Sequence, residues 1–205
     1  MVRQHGFKNR AVEWGYVSER RYDDAYNQVE VDVVFTDPEG RDWRVPAYWA
    51  GEQEWRVRFS PRMVGEYAYR SECSDRSNPS LHDQRGILVV QPYEGNRPLA
   101  KHGPLRASAS GHHLEHVDGT PFFALADLWW LGASRRLSWP EGFQRLTADR
   151  VAKGFNVVQL IAGLPCDMPA FDERAANEAG HPWEEGYARV NPAFFDMLDL
   201  RIQWL

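Results

Sequence analysis

The fold is decided by the stretch Thr120-Pro121-Phe122-Phe123-Ala124-Leu125-Ala126-Asp127-Leu128-Trp129-Trp130 and by the two segments after it. An amphipathic segment near 139–153 comes next, and then a second apolar run, Gly154-Phe155-Asn156-Val157-Val158-Gln159-Leu160-Ile161-Ala162. Parallel strands that are buried on both faces lose the polar alternation of antiparallel strands. The pattern therefore predicts a β-α-β unit, with a helix that begins after Ser138 through a Ser138–Glu141 capping box and stops at Gly154.

The chain before this stretch alternates apolar and polar residues in short runs. Alternation covers 29–36, 43–49 and 55–59, and two further candidate strands cover 65–71 and 86–91. The turn Asp37-Pro38-Glu39-Gly40 separates the first two runs, and a polar loop covers 74–84. Strands at this spacing with no helix between them favour an antiparallel β-sandwich of immunoglobulin-like type.

The connection 95–111 is polar and contains proline and glycine, which predicts a domain boundary. We expect a sandwich over residues 1–108 and the start of a (β/α)8 barrel over 109–205, with a hairpin turn at Asp118-Gly119 and a second helix from Asn191-Pro192. The predicted fold class is thus an all-β antiparallel sandwich followed by the first β/α units of a TIM barrel. Because such a barrel needs about 250 residues, the sequence is expected to be truncated at residue 205.

Composition limits the classes of partner. The 205 residues carry a formal net charge of −5, which predicts no nucleic-acid partner. No run reaches the ~20 apolar residues of a membrane span, and no signal peptide is recognised, so a cytoplasmic bacterial protein is expected. The nine Trp, eight Tyr and ten Phe suit either a sandwich core or clefts in which aromatic rings stack on sugars.

Two features that could carry other chemistry have simpler interpretations. The run His112-His113-Leu114-Glu115-His116 lies in a strand and hairpin context without a second ligand cluster, so a solvated strand is favoured over a metal site. Cys73 and Cys166 lie on opposite sides of the predicted boundary and are expected to be free thiols. No base is identifiable for Cys166 as a nucleophile. Neither a metal nor an organic cofactor is expected.

Several segments together resemble one known family arrangement. They are Val12-Glu13-Trp14, Phe35 to Gly40, Trp55 to Pro61 with Gly65-Glu66-Tyr67, His116 to Phe123, Ala126 to Trp130, Lys153 to Gln159 and Val190 to Asp196. Their order and spacing resemble the N-terminal β-sandwich domain of uncharacterised function that precedes apiosidase-like glycoside hydrolase barrels. The resemblance extends over nearly the whole chain.

The resemblance implies a carbohydrate substrate and a reaction that hydrolyses glycosidic bonds of poly- or oligosaccharides. Glycosidases generally use two carboxylates, one as acid/base and one as nucleophile or base. In barrels of this kind the pair lies at later strands, so the catalytic acids are expected beyond residue 205, and residues 1–205 alone are expected to be inactive. No catalytic residue is assigned within the chain.

Four candidate substrate-binding residues lie at the ends of the two predicted barrel strands, where barrel active sites lie. Asp127 could bond a sugar hydroxyl and Trp129 or Trp130 could stack under a ring. In the alternative interpretation Asp127 caps a turn and the Trp pair fills the core. Gln159, late in the second strand, either contacts substrate or is satisfied internally.

The loop 164–190 supplies two more candidates. His181 and Trp183 could line a sugar subsite, because long loops in compact domains are usually functional or disordered. The alternative is a solvated loop or one that packs between domains. In the sandwich, Trp14, Trp43, Trp49 and Trp55 are interpreted as mostly core, although one could face outward as a sugar platform.

Two other classes of function stay open at this point. The chain could be a non-catalytic carbohydrate-binding protein, which predicts a row of outward-facing aromatic side chains on the sandwich. Alternatively, the sandwich could be purely structural, supporting the barrel or a homo-oligomer interface. The sequence does not name the sugar, the linkage, the stereochemistry of cleavage or the oligomeric state.

Overall fold

A computed structural model describes residues 2–205. The chain forms two compact units, one ending at Phe122 and one comprising Phe123–Leu205. The predicted domain division between residues 108 and 109 stays a prediction.

The first unit is built on one seven-stranded sheet. Its strands are β1 (Val2–Phe7), β2 (Val12–Val17), β3 (Val31–Thr36), β4 (Asp42–Gly51), β5 (Glu54–Phe59), β6 (Gly65–Cys73) and β7 (Arg85–Gln91), with a short helix α1 (Ala25–Gln28) between β2 and β3. The strands lie in the order β1-β7-β6-β3-β4-β5-β2. The β1–β7 pair is parallel and the other pairs are antiparallel, so the sheet is mixed.

The sheet curls until it is nearly closed into a barrel. β4 pairs with β3 over residues 42–47 and with β5 from Tyr48, with an irregular register between Trp49 and Gly51. Such an irregularity bends a strand, so β4 can pair with β3 along its first part and with β5 along its second part. The edge strands β1 and β2 then approach each other: a Cβ on Gly6 would lie 3.5 Å from Val12 Cβ.

The interior of this sheet follows from the alternation of the sequence. Val33, Phe35, Val57 and Leu88 have no exposed surface. The Phe35 and Phe59 rings stack with centroids 4.1 Å apart. Alternating residues of facing strands therefore build one core, as predicted for a sandwich-like unit.

A second, three-stranded sheet completes the first unit. A short helix α2 (Pro98–His102) precedes β8 (Leu105–Ala107), β9 (Leu114–His116) and β10 (Pro121–Phe122), which lie in the order β10-β9-β8. The predicted hairpin turn at Asp118-Gly119 is confirmed, since the Gly119 amide donates to the His116 carbonyl at 2.9 Å. The helix within the predicted polar connection was not expected.

The second unit contains two parallel strands and two longer helices. These are β11 (Ala126–Trp129), α3 (Glu141–Ala152), β12 (Val157–Leu160) and α4 (Pro192–Trp204), with short 3-10 helices at Glu173–Ala175 and Glu185–Tyr187. Phe194, Leu198 and Ala133 form its buried core, with Leu160 and Phe195 packed beside them. None of the helices within residues 2–205 is long and apolar enough to span a membrane.

The predicted fold class is wrong. Residues 2–205 are mostly β, with four α-helices and a large mixed sheet nearly closed into a barrel, and not a sandwich followed by a (β/α)8 barrel. The strand β1, VRQHGF, carries too few apolar residues to be recognised, and its parallel pairing makes the sheet mixed. The local β11-α3-β12 unit does form, but Leu128 is 60% exposed, so these strands are not buried on both faces in this structure.

Both predicted helices form, but their caps differ from the prediction. The N-cap residue of α3 is Pro140 and has no side-chain cap bond, so the Ser138–Glu141 capping box does not form. Asn191 precedes α4 but its side chain bonds the Ala179 and His181 carbonyls instead of the helix. Gly154, with φ of 81°, follows α3 as predicted.

A pair of phenylalanine substitutions tests the core of the first unit. Phe35→Ala removes a ring with no exposed surface and should lower the free energy of unfolding by about 3–5 kcal/mol, from lost burial and the remaining cavity. Phe7→Ala, at a ring that is 47% exposed, is the matched control and should cost about 0.5–1 kcal/mol. Urea denaturation measures both, and equal losses would contradict this placement of the core.

Candidate functional site

Asp127 lies in β11 and faces α3, where its carboxylate is fully engaged. Its Oδ2 accepts from Trp129 Nε1 at 2.9 Å and from Arg150 Nε of α3. Its Oδ1 accepts from the Leu128 amide at 2.9 Å. The bonds from Arg150 and then Trp129 hold the pKa of Asp127 below its usual range, so the carboxylate is ionised. Asp127 therefore acts locally to hold the strand, the helix and one indole together.

The two tryptophans that follow have different environments. Trp129 is buried and packs edge-on against Phe143 of α3, with ring centroids 5.4 Å apart. It is a core residue. Trp130 is 42% exposed, which leaves part of its ring available to a ligand.

Gln159 lies on the opposite face of the two-stranded sheet from Asp127. It is in register with Leu128, and both side chains are exposed. Asp127 is instead in register with Val158. Asp127 and Gln159, two of the predicted substrate residues, therefore point to different faces of the same strand pair.

The segments that come after β11 and β12 both reach the loop 164–190. After β11, the Arg135 amide donates to the Ala176 carbonyl at 2.9 Å. After β12, Gly163 packs so closely under Trp183 that an added Cβ would lie 3.1 Å from the indole ring. The carboxyl ends of the two parallel strands thus meet one loop, at the edge where open α/β sheets place their ligands.

Four ring side chains of this loop form a group that we call the aromatic patch: Phe171, His181, Trp183 and Tyr187. Ring centroids lie 5.8 Å apart for Phe171–His181, 5.2 Å for Phe171–Tyr187 and 6.4 Å for Trp183–Tyr187. Trp183 also packs edge-on against Phe195 of α4 at 6.0 Å. Tyr187 is 57% exposed, so it is the member that presents most surface to solvent.

The aromatic patch contains unusual backbone conformations. Phe171 has φ of 62° and Tyr187 has φ of 60°. Bulky residues adopt this left-handed region at a cost of about 1–3 kcal/mol each, which the surrounding structure must offset. Such conformations concentrate at ligand-binding and catalytic sites, so the geometry marks the patch as a candidate site.

The loop is held in place by buried polar contacts. Arg201 of α4 has no exposed surface, and its Nη2 donates to both Glu178 carboxylate oxygens at 2.9 Å. The guanidinium also lies over the Trp139 ring, 5.6 Å from its centroid. Asn177, equally buried, donates to the Phe194 carbonyl at 3.0 Å. The loop is therefore an ordered structure attached to α4.

Charged side chains border the aromatic patch. Glu173 lies 3.5 Å from His181 Nε2 and 3.3 Å from Arg135. The Arg174 guanidinium and amide lower the pKa of the neighbouring Asp172 carboxyl strongly. His181 Nδ1 is buried without a hydrogen-bond partner among residues 2–205. The site thus offers rings, carboxylates and one unsatisfied imidazole nitrogen.

The histidine run has structural contacts. His116 is buried and its Nδ1 bonds the Gly103 carbonyl at 2.7 Å, while Glu115 bonds Arg106. Within residues 2–205 no three His, Cys, Asp or Glu side chains converge in a way that could hold a metal ion. Cys73 is buried, Cys166 is exposed, and neither is in a disulfide.

The structure brings the predicted residues into two groups. Asp127 and Trp129 bond each other, and His181 and Trp183 belong to the aromatic patch; Trp130 and Gln159 are exposed outside both groups. Sequence reasoning missed Phe171 and Tyr187. Their signal was available, since both are aromatic residues of the same long loop as His181 and Trp183.

Breaking the ion pair between the buried Arg201 and the partly exposed Glu178 should loosen this loop. Glu178→Gln leaves the Arg201 charge without its counter-charge and should cost about 2–4 kcal/mol of unfolding free energy. Glu184→Gln, at an exposed ion pair with Arg189 in the same loop, is the control and should cost below about 1 kcal/mol. Chemical denaturation and limited proteolysis of the loop measure the effect. Equal losses of unfolding free energy and equal rates of proteolysis in the two variants would show that the Glu178–Arg201 pair does not hold the loop.

Asp127 should make the second unit sensitive to acid. Because its pKa is lowered on folding, its stabilising contribution is complete above the ordinary aspartate pKa and is lost as the pH falls through the lowered value. Asp127→Asn should therefore be less stable than wild type at neutral pH. The difference should shrink in acid, as measured by thermal melts across a pH series. If the difference in stability between wild type and Asp127→Asn did not change with pH, ionisation of Asp127 would not be its cause.

Two family models match the chain. Residues 8–74 match a domain of unknown function, DUF5060, and residues 108–205 match the model described as "Apiosidase-like, catalytic domain". No curated protein matches the sequence.

Solved structures add a likeness of fold. A putative glycoside hydrolase from Bacteroides vulgatus ATCC 8482 matches with a TM-score of 0.71 and 19% identity, over 98% of this chain. The chain spans 39% of the length of that protein. CopC from Methylosinus trichosporium OB3b matches over 47% of this chain and 91% of its own length, with 16% identity. Its TM-score of 0.31 is too low to indicate a shared fold.

The first of these structures is 19% identical and therefore shows the fold alone. The match of 108–205 to the catalytic-domain model adds the functional link. Together, these findings support a relationship of this chain to the apiosidase-like glycoside hydrolases.

Proposed function

We propose that this chain is part of a glycoside hydrolase that cleaves glycosidic bonds of poly- or oligosaccharides. The observation that carries the proposal is the match of residues 108–205 to the apiosidase-like catalytic domain. That match covers the strands β11 and β12 and the loop that bears the aromatic patch. A carbohydrate substrate is consistent with this relationship.

The aromatic patch is the substrate-contacting surface in this proposal. The apolar C–H face of a sugar ring packs well on the electron-rich face of an aromatic ring. Tyr187 has an exposed ring, and its centroid lies 6.4 Å from that of Trp183. Trp183 in turn packs against Gly163 and Phe195. The position at the carboxyl ends of β11 and β12 and the strained φ values of Phe171 and Tyr187 support the same role.

The other predicted residues have different roles in the proposal. Trp130 and Gln159 are exposed and could contact a sugar directly, the Gln159 amide through hydrogen bonds to hydroxyls. Asp127 and Trp129 position β11 against α3 rather than touching the substrate, because their polar atoms bond each other and Arg150. His181 places its imidazole against Phe171 and next to Glu173.

The catalytic carboxylates are proposed to lie beyond residue 205. A two-carboxylate mechanism needs one protonated acid. Asp127, the carboxylate of β11, is ionised and bonded to Arg150, which does not suit a proton donor. The chain also spans 39% of its structural neighbour, which leaves room for the pair in a longer protein.

A second candidate function is carbohydrate binding by the first unit without catalysis. One observation favours it: Trp43 is 37% exposed and lines a hollow of the surface. A sugar ring could pack on the exposed part of this indole.

The hydrolase proposal predicts how substrate affinity depends on the patch. In the protein as its gene encodes it, Tyr187→Ala should raise KM for aryl glycosides or oligosaccharides about 3–10-fold through loss of ring stacking, with a smaller change in kcat. Phe123→Ala, which removes a ring that is 81% exposed outside the patch, is the matched control and should leave KM unchanged.

Two outcomes would contradict the proposal. One is that no glycoside in a broad panel is hydrolysed by the protein that the gene encodes. The other is efficient hydrolysis by residues 1–205 alone, which would place the catalytic acids within this chain. Equal effects of the two substitutions would remove the patch from the proposed site.

A further inference from the structure

Two hollows lie on the surface of the first unit and share one side chain. The first has a volume of about 280 Å³ and is lined among others by Trp43, Arg62 and Met63. The second has a volume of about 440 Å³ and is lined among others by Lys8, Lys101 and again Arg62. We call the two together the Arg62 groove. An extended ligand could therefore pass from an aromatic end to a cationic end.

Four Lys and Arg side chains line the Arg62 groove, and one of them, Arg41, pairs with Asp37 and Glu39. Lys8, Arg62 and Lys101 are exposed, and within residues 2–205 none of them forms a salt bridge. The contact of Arg62 is with an aromatic ring, since its guanidinium lies 5.5 Å from the centroid of Trp43. Three positive charges thus face one surface without a carboxylate partner among residues 2–205.

The carboxylates that line the groove are already engaged. Asp37 is buried and accepts from Trp43 Nε1 at 3.0 Å and from the Glu39 and Arg41 amides at 2.9 Å. Asp118 bonds His102 at 2.8 Å and the Thr120 amide at 2.9 Å. The lining of the groove therefore carries four Lys and Arg charges against these two carboxylates, so the groove is cationic.

The cationic side chains stand on ordered parts of the unit. Lys8 is the first residue of the β1–β2 turn, in which Asn9 adopts a φ of 59°. The Asn9 side chain donates to the Ala100 carbonyl of α2 at 3.2 Å, and α2 carries Lys101. The turn and the helix are therefore fixed to each other, which keeps the two lysine positions at one site.

The aromatic end distinguishes a sugar from a simple anion. The indole of Trp43 is held in one orientation by its bond to Asp37, yet 37% of the residue remains exposed. The guanidinium of Arg62 lies over this ring, 5.5 Å from its centroid, and offers a planar pair of N–H groups that suits a carboxylate or sulfate. A ring surface beside a guanidinium matches a molecule that has both an apolar ring face and an acid group.

We propose that the Arg62 groove binds an acidic oligosaccharide. A sugar ring packs on the part of Trp43 that the Arg62 guanidinium leaves exposed, and carboxylate or sulfate groups along the chain pair with Arg62, Lys8 and Lys101. The net charge of −5 makes the protein as a whole repel polyanions, so binding depends on this local group of cations. The inference does not rest on the hydrolase proposal, because every residue in it belongs to the first unit.

Isothermal titration of the full chain tests the proposal with three oligosaccharides of equal length. The probes are a carboxylated oligogalacturonide, a sulfated heparin fragment and a neutral cello-oligosaccharide. At least one acidic probe should bind, with an affinity that falls as salt is added, and the neutral probe should bind much more weakly. Whichever acidic probe binds more tightly identifies the acid group.

Matched variants locate the binding. Arg62→Gln should weaken the acidic probe about tenfold, because a charge-assisted contact is lost, and Arg62→Lys should restore part of the affinity. Arg76→Gln removes an exposed arginine that forms no salt bridge within residues 2–205 and lies outside the groove, and it should change nothing. Trp43→Ala should weaken every acidic probe that binds the wild type, while the Asp37 turn keeps its backbone bonds.

Three results would overturn the proposal. They are the absence of binding to either acidic probe, equal affinity for the neutral probe, and equal loss in Arg62→Gln and Arg76→Gln. Binding of a single-stranded oligonucleotide as tightly as the acidic sugars would instead show a general polyanion surface. None of these outcomes bears on hydrolysis, which is measured separately with the Tyr187→Ala variant.

Discussion

The second unit depends on a guanidinium that has no exposed surface. Arg201, near the end of α4, meets the carboxylate of Glu178 with two bonds of 2.9 Å. Removing a charge from water is costly unless a partner compensates for it, so α4 and the loop that bears Glu178 must stay together. The aromatic patch is built on this loop, and the left-handed backbone of Phe171 and Tyr187 is tolerated because the loop is fixed at several points.

The same loop joins the two strands to the candidate site. Its Ala176 carbonyl accepts from Arg135 after β11, and its Trp183 covers Gly163 after β12. Because Gly163 has no Cβ, the indole can approach the backbone closely. The arrangement places exposed rings at the carboxyl ends of parallel strands, which agrees with the match of this region to an apiosidase-like catalytic domain.

The first unit has a different organisation and a different chemical surface. Its curled sheet buries Phe35 and Phe59 inside and leaves the Asp37 turn at the surface. That turn uses one buried carboxylate to hold both its own backbone and the Trp43 indole. Charge around this turn is distributed unevenly, since Asp37 is bonded internally while Arg62, Lys8 and Lys101 face solvent.

The sequence predicted the local elements well, because those depend on periodicity and turn chemistry. Alternation located β3 to β5, and β6 and β7 were among the candidate strands. Asp118-Gly119 located the hairpin, and Pro192 and Gly154 located helix ends. The strand β1 was missed because it carries few apolar residues, and the curl of the sheet was missed because alternation does not report which strands pair. Apolar runs were interpreted as strands buried on both faces, although Leu128 is exposed.

The candidate site residues show the same difference between what is local in sequence and what depends on long-range contacts. Residue type alone identified Asp127, Trp129, Trp130, Gln159, His181 and Trp183 as chemically capable side chains. Long-range contacts decided their surroundings: Arg150 engages Asp127, Phe143 buries Trp129, and Phe171 with Tyr187 completes the aromatic patch. The sequence by itself determined the elements and the available chemistry, because both are local. Only the tertiary structure decided which groups are paired, buried or open to a ligand, because those properties depend on residues far apart in the chain.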